Sequence, residues 1–201
     1  MNIGTAPTTA PAKPKSRTHN LWRTVNPVQE MLDQLIMEID PFTTREQYLK
    51  FLKSQYRFHY LTDIYYTSRS LLPIIPDIRQ RRRLPLIRRD IVDLGGERLE
   101  LPLVQDCKVD IPTALGWLYV AESAKLGSAF YLHKIALLGL TKECGAGHLS
   151  QNAELCGLHW RKFAAALDAA DFSDLDEERL LVGAEQAYEN MLFMIKHNFF
   201  Q

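Results

Sequence analysis

Residues 114–134, ALGWLYVAESAKLGSAFYLHK, constrain the fold more than any other stretch of the chain. They are apolar and read as one long helix, and an apolar helix must be buried to leave water. Small residues stand in its middle, at Ser123, Ala124 and Gly127. Glycine in a helix interior costs about 1 kcal/mol relative to alanine, so Gly127 needs a reason. Residues four apart share a helix face, and Ser123 and Gly127 are so spaced. A small face lets another helix, the commoner case, or a flat ligand approach the backbone. Spacing alone leaves both open.

The rest of the chain also carries helical periodicity. Residues 27–39 put Val28, Met31, Leu32, Leu35, Ile36 and Ile39 on one stripe, with Asn26 as N-cap and Pro27 at the first helical position. Thr43 and Glu46 form a capping box for an aromatic-rich helix over 44–71. Pro73, Pro76 and Pro85 divide the next region into shorter helices, and Gly95-Gly96 ends it. Residues 97–110 read as a loop. Asp110 and Pro112 open the apolar helix, and two helices follow, at 152–170 and 175–199, the last capped by Ser173 or Asp174. No repeat and no strand-like alternation occur. The pattern predicts an all-α single domain of seven or eight helices over residues 17–201. Residues 1–16, rich in Pro, Thr and Ala, read as a disordered tail without the apolar core of a secretory signal.

The bulk properties narrow the function classes. Lys plus Arg and Asp plus Glu each number 24, against the basic excess of a general nucleic-acid binder. The 3 cysteines, Cys107, Cys144 and Cys156, are odd in number and lack CxxC spacing, which suits a reducing cytoplasm rather than a disulfide framework or a zinc site. No apolar run has the length of a membrane span. The chain has no GxSxG elbow, Walker loop or GxGxxG. A carboxylate di-iron site needs paired ExxH elements, but Glu122 lacks a histidine three residues on and Glu154 is followed by Gly157. His19, His59, His133, His148, His159 and His197 form no HxxxH or ExxH pair. The stretch RQRRRLPLIRR at 79–89 reads either as a solvated helix face or as a docking surface for an acidic partner or an anionic ligand group.

At residues 114–134 the chain resembles the bacterial heme oxygenases, whose distal-helix pattern is similar to ALGWLYVxEGSxLGxxxLxK. The likeness extends to LDQLIMEIDPFTTREQYLKFLKSQY, IPDIRQRRRLPLIRRDIVDLGG, CGAGHL and HWRKFAAALD, and so covers most of residues 21–200. It implies an all-α fold with haem held between a proximal and a distal helix. The family cleaves haem to biliverdin, carbon monoxide and ferrous iron, with electrons from a reductase or ferredoxin. The protein acts on such a cofactor through axial ligation, hydrogen bonding and steric access.

Two departures follow from the resemblance. Gln29 falls where the family places its proximal histidine, and an amide oxygen is a poor haem-iron ligand beside imidazole. With Asn26 as N-cap, Gln29 would also complete a capping box. Ser123 falls at the first distal glycine, while Gly127 keeps the second close approach. His19 is the nearest substitute ligand in sequence, provided the chain folds back at Pro27. His133, on the same presumed helix as Ser123, is expected near the haem rim at most. The resemblance further places Lys134 near the haem propionates, Tyr119 and Phe130 beside the distal stretch, and Tyr188 and Met191 against the haem from the last helix. It implies a cytoplasmic haem-cleaving enzyme. The alternative is a non-catalytic member that binds haem, another tetrapyrrole or a different flat ligand.

Overall fold

The computed structural model describes residues 16–97, 99, 109–150 and 153–200. Among them are seven α-helices: α1 (Arg17–Ile39), α2 (Arg45–Thr67), α3 (Leu84–Asp93), α4 (Ile111–Ser123), α5 (Ser128–Leu137), α6 (Ala153–Ala169) and α7 (Asp174–Phe200). A 3-10 turn, Ile78–Arg81, precedes α3. No strand occurs among the described residues. The all-α expectation holds. The expected tail lies outside the described residues as far as residue 15, as does most of the loop expected at 97–110.

Local chemistry sets most helix ends. Thr44 Oγ1 accepts from Gln47 N at 3.1 Å and starts α2, one residue beyond the expected cap. Asp110 caps α4 by accepting from Thr113 N at 3.2 Å. Ser173 and Asp176 bond reciprocally at the start of α7: Asp176 N donates to Ser173 Oγ at 3.3 Å, and Ser173 N to Asp176 Oδ2 at 3.0 Å. These bonds to Ser173 and Arg179 hold the Asp176 carboxyl at about 2.

The start of α1 differs from expectation. The helix begins ten residues earlier, at Arg17, and runs through Pro27. Ser16 is its cap, with Oγ accepting from His19 N at 3.1 Å. Distant groups fix that end: Asp168 accepts from Ser16 Oγ at 2.9 Å and from Thr18 N at 2.7 Å, and Arg17 pairs with Glu177 at 2.6 Å. Pro27 removes one hydrogen bond to Arg23 O, but both residues are exposed, so the loss falls at the surface and not in the core. Asn26 is not a cap. Its amide donates to Glu30 at 2.6 Å. Of the expected stripe, Leu32 and Ile36 are buried and Met31 is 56% exposed.

At the centre, α4 lies against α7, with α2 and α6 beside it. Glycine permits the crossing. A Cβ on Gly116 would stand 2.2 Å from Leu180 O and 2.6 Å from Ala184 N, and one on Gly183 would stand 2.3 Å from Thr113 O. The close helix packing allowed for this apolar segment is therefore made by Gly116, about two turns before Ser123, against Gly183 of α7. The segment is also not one helix: α4 stops at Ser123, four turn residues intervene, and α5 restarts at 128.

Candidate functional site

The break between α4 and α5 is held from behind by a buried charge cluster. Glu122, fully buried, accepts from Tyr66 Oη at 2.7 Å, from Arg81 Nη1 at 3.1 Å and from Lys125 Nζ. Lys125 Nζ also donates to Arg81 O at 2.9 Å, and Arg81 reaches Asp77 at 2.8 Å and His159 O at 2.9 Å. Burial alone would raise the Glu122 carboxyl, but Lys125, Tyr66 and Arg81 outweigh it and hold it below the usual value. Burial, with Arg83 and Arg81 adding to it and Glu122 opposing it, brings Lys125 down to about 8. Lys125 sits inside the break, so its ties set where the chain goes after α4.

This cluster answers the arginine stretch. Arg81 and Arg83 are buried at 1% and 4% exposure, and Arg82 is paired with Asp63 through two bonds of 2.9 and 2.8 Å. The stretch is therefore divided: Arg81 and Arg83 are internal counter-charges, while Arg79 and Arg89 stay on the solvated surface. The sequence did carry a signal. A carboxylate at 122 within an apolar, buried helix has to be paired, and the alternation of arginines at 81 and 83 supplied the partner side.

The front of the break is open. A Cβ on Gly127 would meet nothing closer than the carbonyl oxygen of Ala124, at 3.8 Å. No helix packs on Gly127 among the described residues. The segment beyond is braced at its far end: Tyr131 stacks on Phe42 at 4.4 Å, Lys134 pairs with Asp40 at 2.9 Å, and Arg45 Nε donates to Leu138 O at 2.9 Å.

The two departures, at 29 and 123, meet at one phenol. Tyr188, on α7 and 3% exposed, donates from Oη to Gln29 Oε1 at 3.0 Å. Burial raises this phenol to about 12, with the Ser123 hydroxyl opposing the effect and the Asp33 carboxylate adding to it. Ser123 Oγ donates its one proton to Val120 O at 3.1 Å. Gln29 is half-buried on α1. The phenol thus ties α7 to α1, near the end of α4.

The other expected site residues fall at graded distances from this bridge. Tyr119 is buried, its ring edge-on to Trp160 at 5.4 Å, and burial together with the nearby Tyr188 raises its phenol above the ordinary range. Met191, one turn beyond Tyr188, accepts from Gln55 Nε2 at 3.6 Å. Lys134 lies at the surface in its pair with Asp40. Phe130 is 87% exposed. His19 is not brought to the bridge: it stacks on Trp22, and the unbroken helix puts it about 15 Å from Gln29. His133 is exposed on α5, beyond the break. Two surface clefts lie elsewhere, one of about 590 Å³ around Ser16, Arg17, Asp168 and Glu177, and one of about 490 Å³ around Asp110, Phe172 and Arg179. Their charged side chains are already paired with one another.

The chain is similar to known proteins in sequence and in fold. The heme oxygenase family model matches residues 104–196. The chain is 29% identical over 184 residues to heme oxygenase PigA of Pseudomonas aeruginosa, covering 91% of this chain and 93% of that protein. The NO- and CO-bound heme oxygenase of Neisseria meningitidis superimposes with a TM-score of 0.84 at 30% identity, covering 92% of this chain and 93% of that one.

Proposed function

The chain belongs to the heme oxygenase family, and we propose that it binds haem between α1 and the α4–α5 break and cleaves it oxidatively. The family activity yields biliverdin, carbon monoxide and ferrous iron. The observation that carries the reading is the open backbone at Gly127. A backbone left uncovered beside a buried helix suits close approach by a flat, apolar ring.

The residues present suit such a group in shape and in charge. Tyr119, Tyr188 and Met191 supply buried apolar and aromatic surface. Lys134, at the rim, can exchange Asp40 for a ligand carboxylate without burying a charge. Ser123 offers a hydroxyl where the family has hydrogen, and its bond to Val120 O turns that hydroxyl back along α4. Bound haem supplies both the iron chemistry and the carbon skeleton that is cleaved. The protein's part is to hold the ring against residues 123–127, with the Glu122–Lys125–Arg81 cluster keeping that segment in place. The electrons come from a separate reductase or ferredoxin. A cytoplasmic setting fits the cysteine usage, and no helix among the described residues is long and apolar enough to cross a membrane.

The test is a hemin titration followed by ascorbate under air, with the pigment identified by chromatography. The reading predicts a saturable Soret band that decays to biliverdin. A Soret band that persists under reductant and oxygen would leave binding without cleavage. No band at all would refute both.

A further inference from the structure

We propose that Tyr188 is the iron ligand of this protein, its phenolate taking the coordination role that the amide of Gln29 cannot fill. The proposal rests on the haem-binding reading and goes beyond it. The phenol oxygen lies 3.0 Å from Gln29 Oε1, one hydrogen bond from the position where the proximal ligand is expected. Tyr188 is buried on α7 and is bonded to α1 through Gln29. An oxygen so placed has few ways to avoid a metal held between those helices.

The alternatives are weaker. The Gln29 carbonyl is neutral and already accepts the Tyr188 hydroxyl. No imidazole is hydrogen-bonded to Gln29 or Tyr188 among the described residues. His19 and His133 are exposed. His148 is bonded to Asp90 at 2.7 Å, and His197 stacks on Phe193, more than two turns along α7 from Tyr188. Met191 is buried close by, but its thioether accepts from Gln55. A phenolate is an anionic oxygen donor suited to ferric haem, and tyrosine serves as the haem ligand of catalase.

The unligated phenol, raised by burial to about 12, stays protonated at neutral pH and can donate to Gln29. Free ferric hemin carries water or hydroxide. When the Fe–O(phenolate) bond forms, the bond to hydroxide breaks, and hydroxide leaves with the phenolic proton as water; no electron moves. Gln29 is then a positioning residue. Its amide, turned about its last torsion, donates N–H to the phenolate that it previously accepted from.

The experiment is resonance Raman and EPR spectroscopy of the ferric hemin complex of the full chain, unlabelled and with ring-deuterated tyrosine. The expected result is an iron–phenolate stretch that shifts on labelling, with a rhombic high-spin EPR signal. Tyr188→Phe should abolish both and weaken hemin binding at least tenfold, while its circular dichroism stays that of the parent. Gln29→Leu, which leaves the phenol intact, should keep the iron–phenolate mode at a shifted frequency. A bound hemin with no label-sensitive mode, or a Tyr188→Phe spectrum equal to the parent's, overturns the assignment while leaving haem binding standing. Failure of the parent chain to bind hemin overturns both.

Discussion

Two glycines on one stretch of sequence should respond oppositely to the same substitution. Gly127 has φ −78° and ψ −12°, an ordinary right-handed conformation, and its Cβ direction is clear to 3.8 Å. Gly127→Ala should therefore be neutral or stabilise by as much as about 1 kcal/mol, through the lost freedom of the unfolded chain. Gly116→Ala drives a methyl to 2.2 and 2.6 Å from backbone atoms of α7, which cannot move alone. The cost is about 3 kcal/mol or more, at the upper end of overpacking. In a chain of this length each kcal/mol moves Tm by about 2–4 °C. Thermal unfolding should show Gly127→Ala level with the parent or slightly above it, and Gly116→Ala lower by about 6–12 °C. Hemin titration should then separate stability from binding. Gly127→Leu should remain folded yet bind hemin about tenfold to a hundredfold more weakly, since its side chain occupies the open side of the break. If Gly127→Leu bound hemin as the parent does, or if Gly127→Ala unfolded the protein, the open backbone would not be the ligand's approach.

The buried cluster gives further predictions. Glu122→Gln leaves Arg81 and Lys125 buried with one anion fewer. Denaturant unfolding should show a loss of about 3–5 kcal/mol, the usual cost of breaking a buried pair from one side, and a loss under 1 kcal/mol would contradict the geometry. Lys125 adds a pH dependence. Its folded value of about 8, against the ordinary 10.5, means that the unfolded chain holds a proton between those values which the folded chain has released. Stability from this group therefore rises with pH over that window and is at its lowest below about 8. The parent should gain about 3 kcal/mol on Lys125→Met between pH 8 and 10.5, read from unfolding curves at each pH, and parallel curves would refute it.

What was legible in the sequence was local. The helical class, the Ser173 cap and the division of the proline-rich region follow from residues within a few positions of one another. The start of α1 was not legible, because Asn26-Pro27 looks like a helix start, while the true end at Ser16 is fixed by Asp168 and Glu177 from the other side of the chain. The break after Ser123 was hidden for the same reason. Composition at 114–134 supports one helix, and the turn is imposed by Lys125 reaching Glu122 and the Arg81 carbonyl. The candidate site was half legible. Gly127 could be singled out from its cost in a helix, and Gln29, Ser123 and Tyr188 from the family likeness. That the Tyr188 phenol is bonded to Gln29, across 159 positions, with Ser123 near it, is a property of the folded chain alone.

The most direct test of the account is a crystal structure of the hemin complex. The account predicts the porphyrin between α1 and the α4–α5 break, its plane against residues 123–127 and its iron facing the Gln29–Tyr188 side. Hemin seated elsewhere, as in the cleft at Ser16 and Asp168, with Gly127 still uncovered, would contradict it.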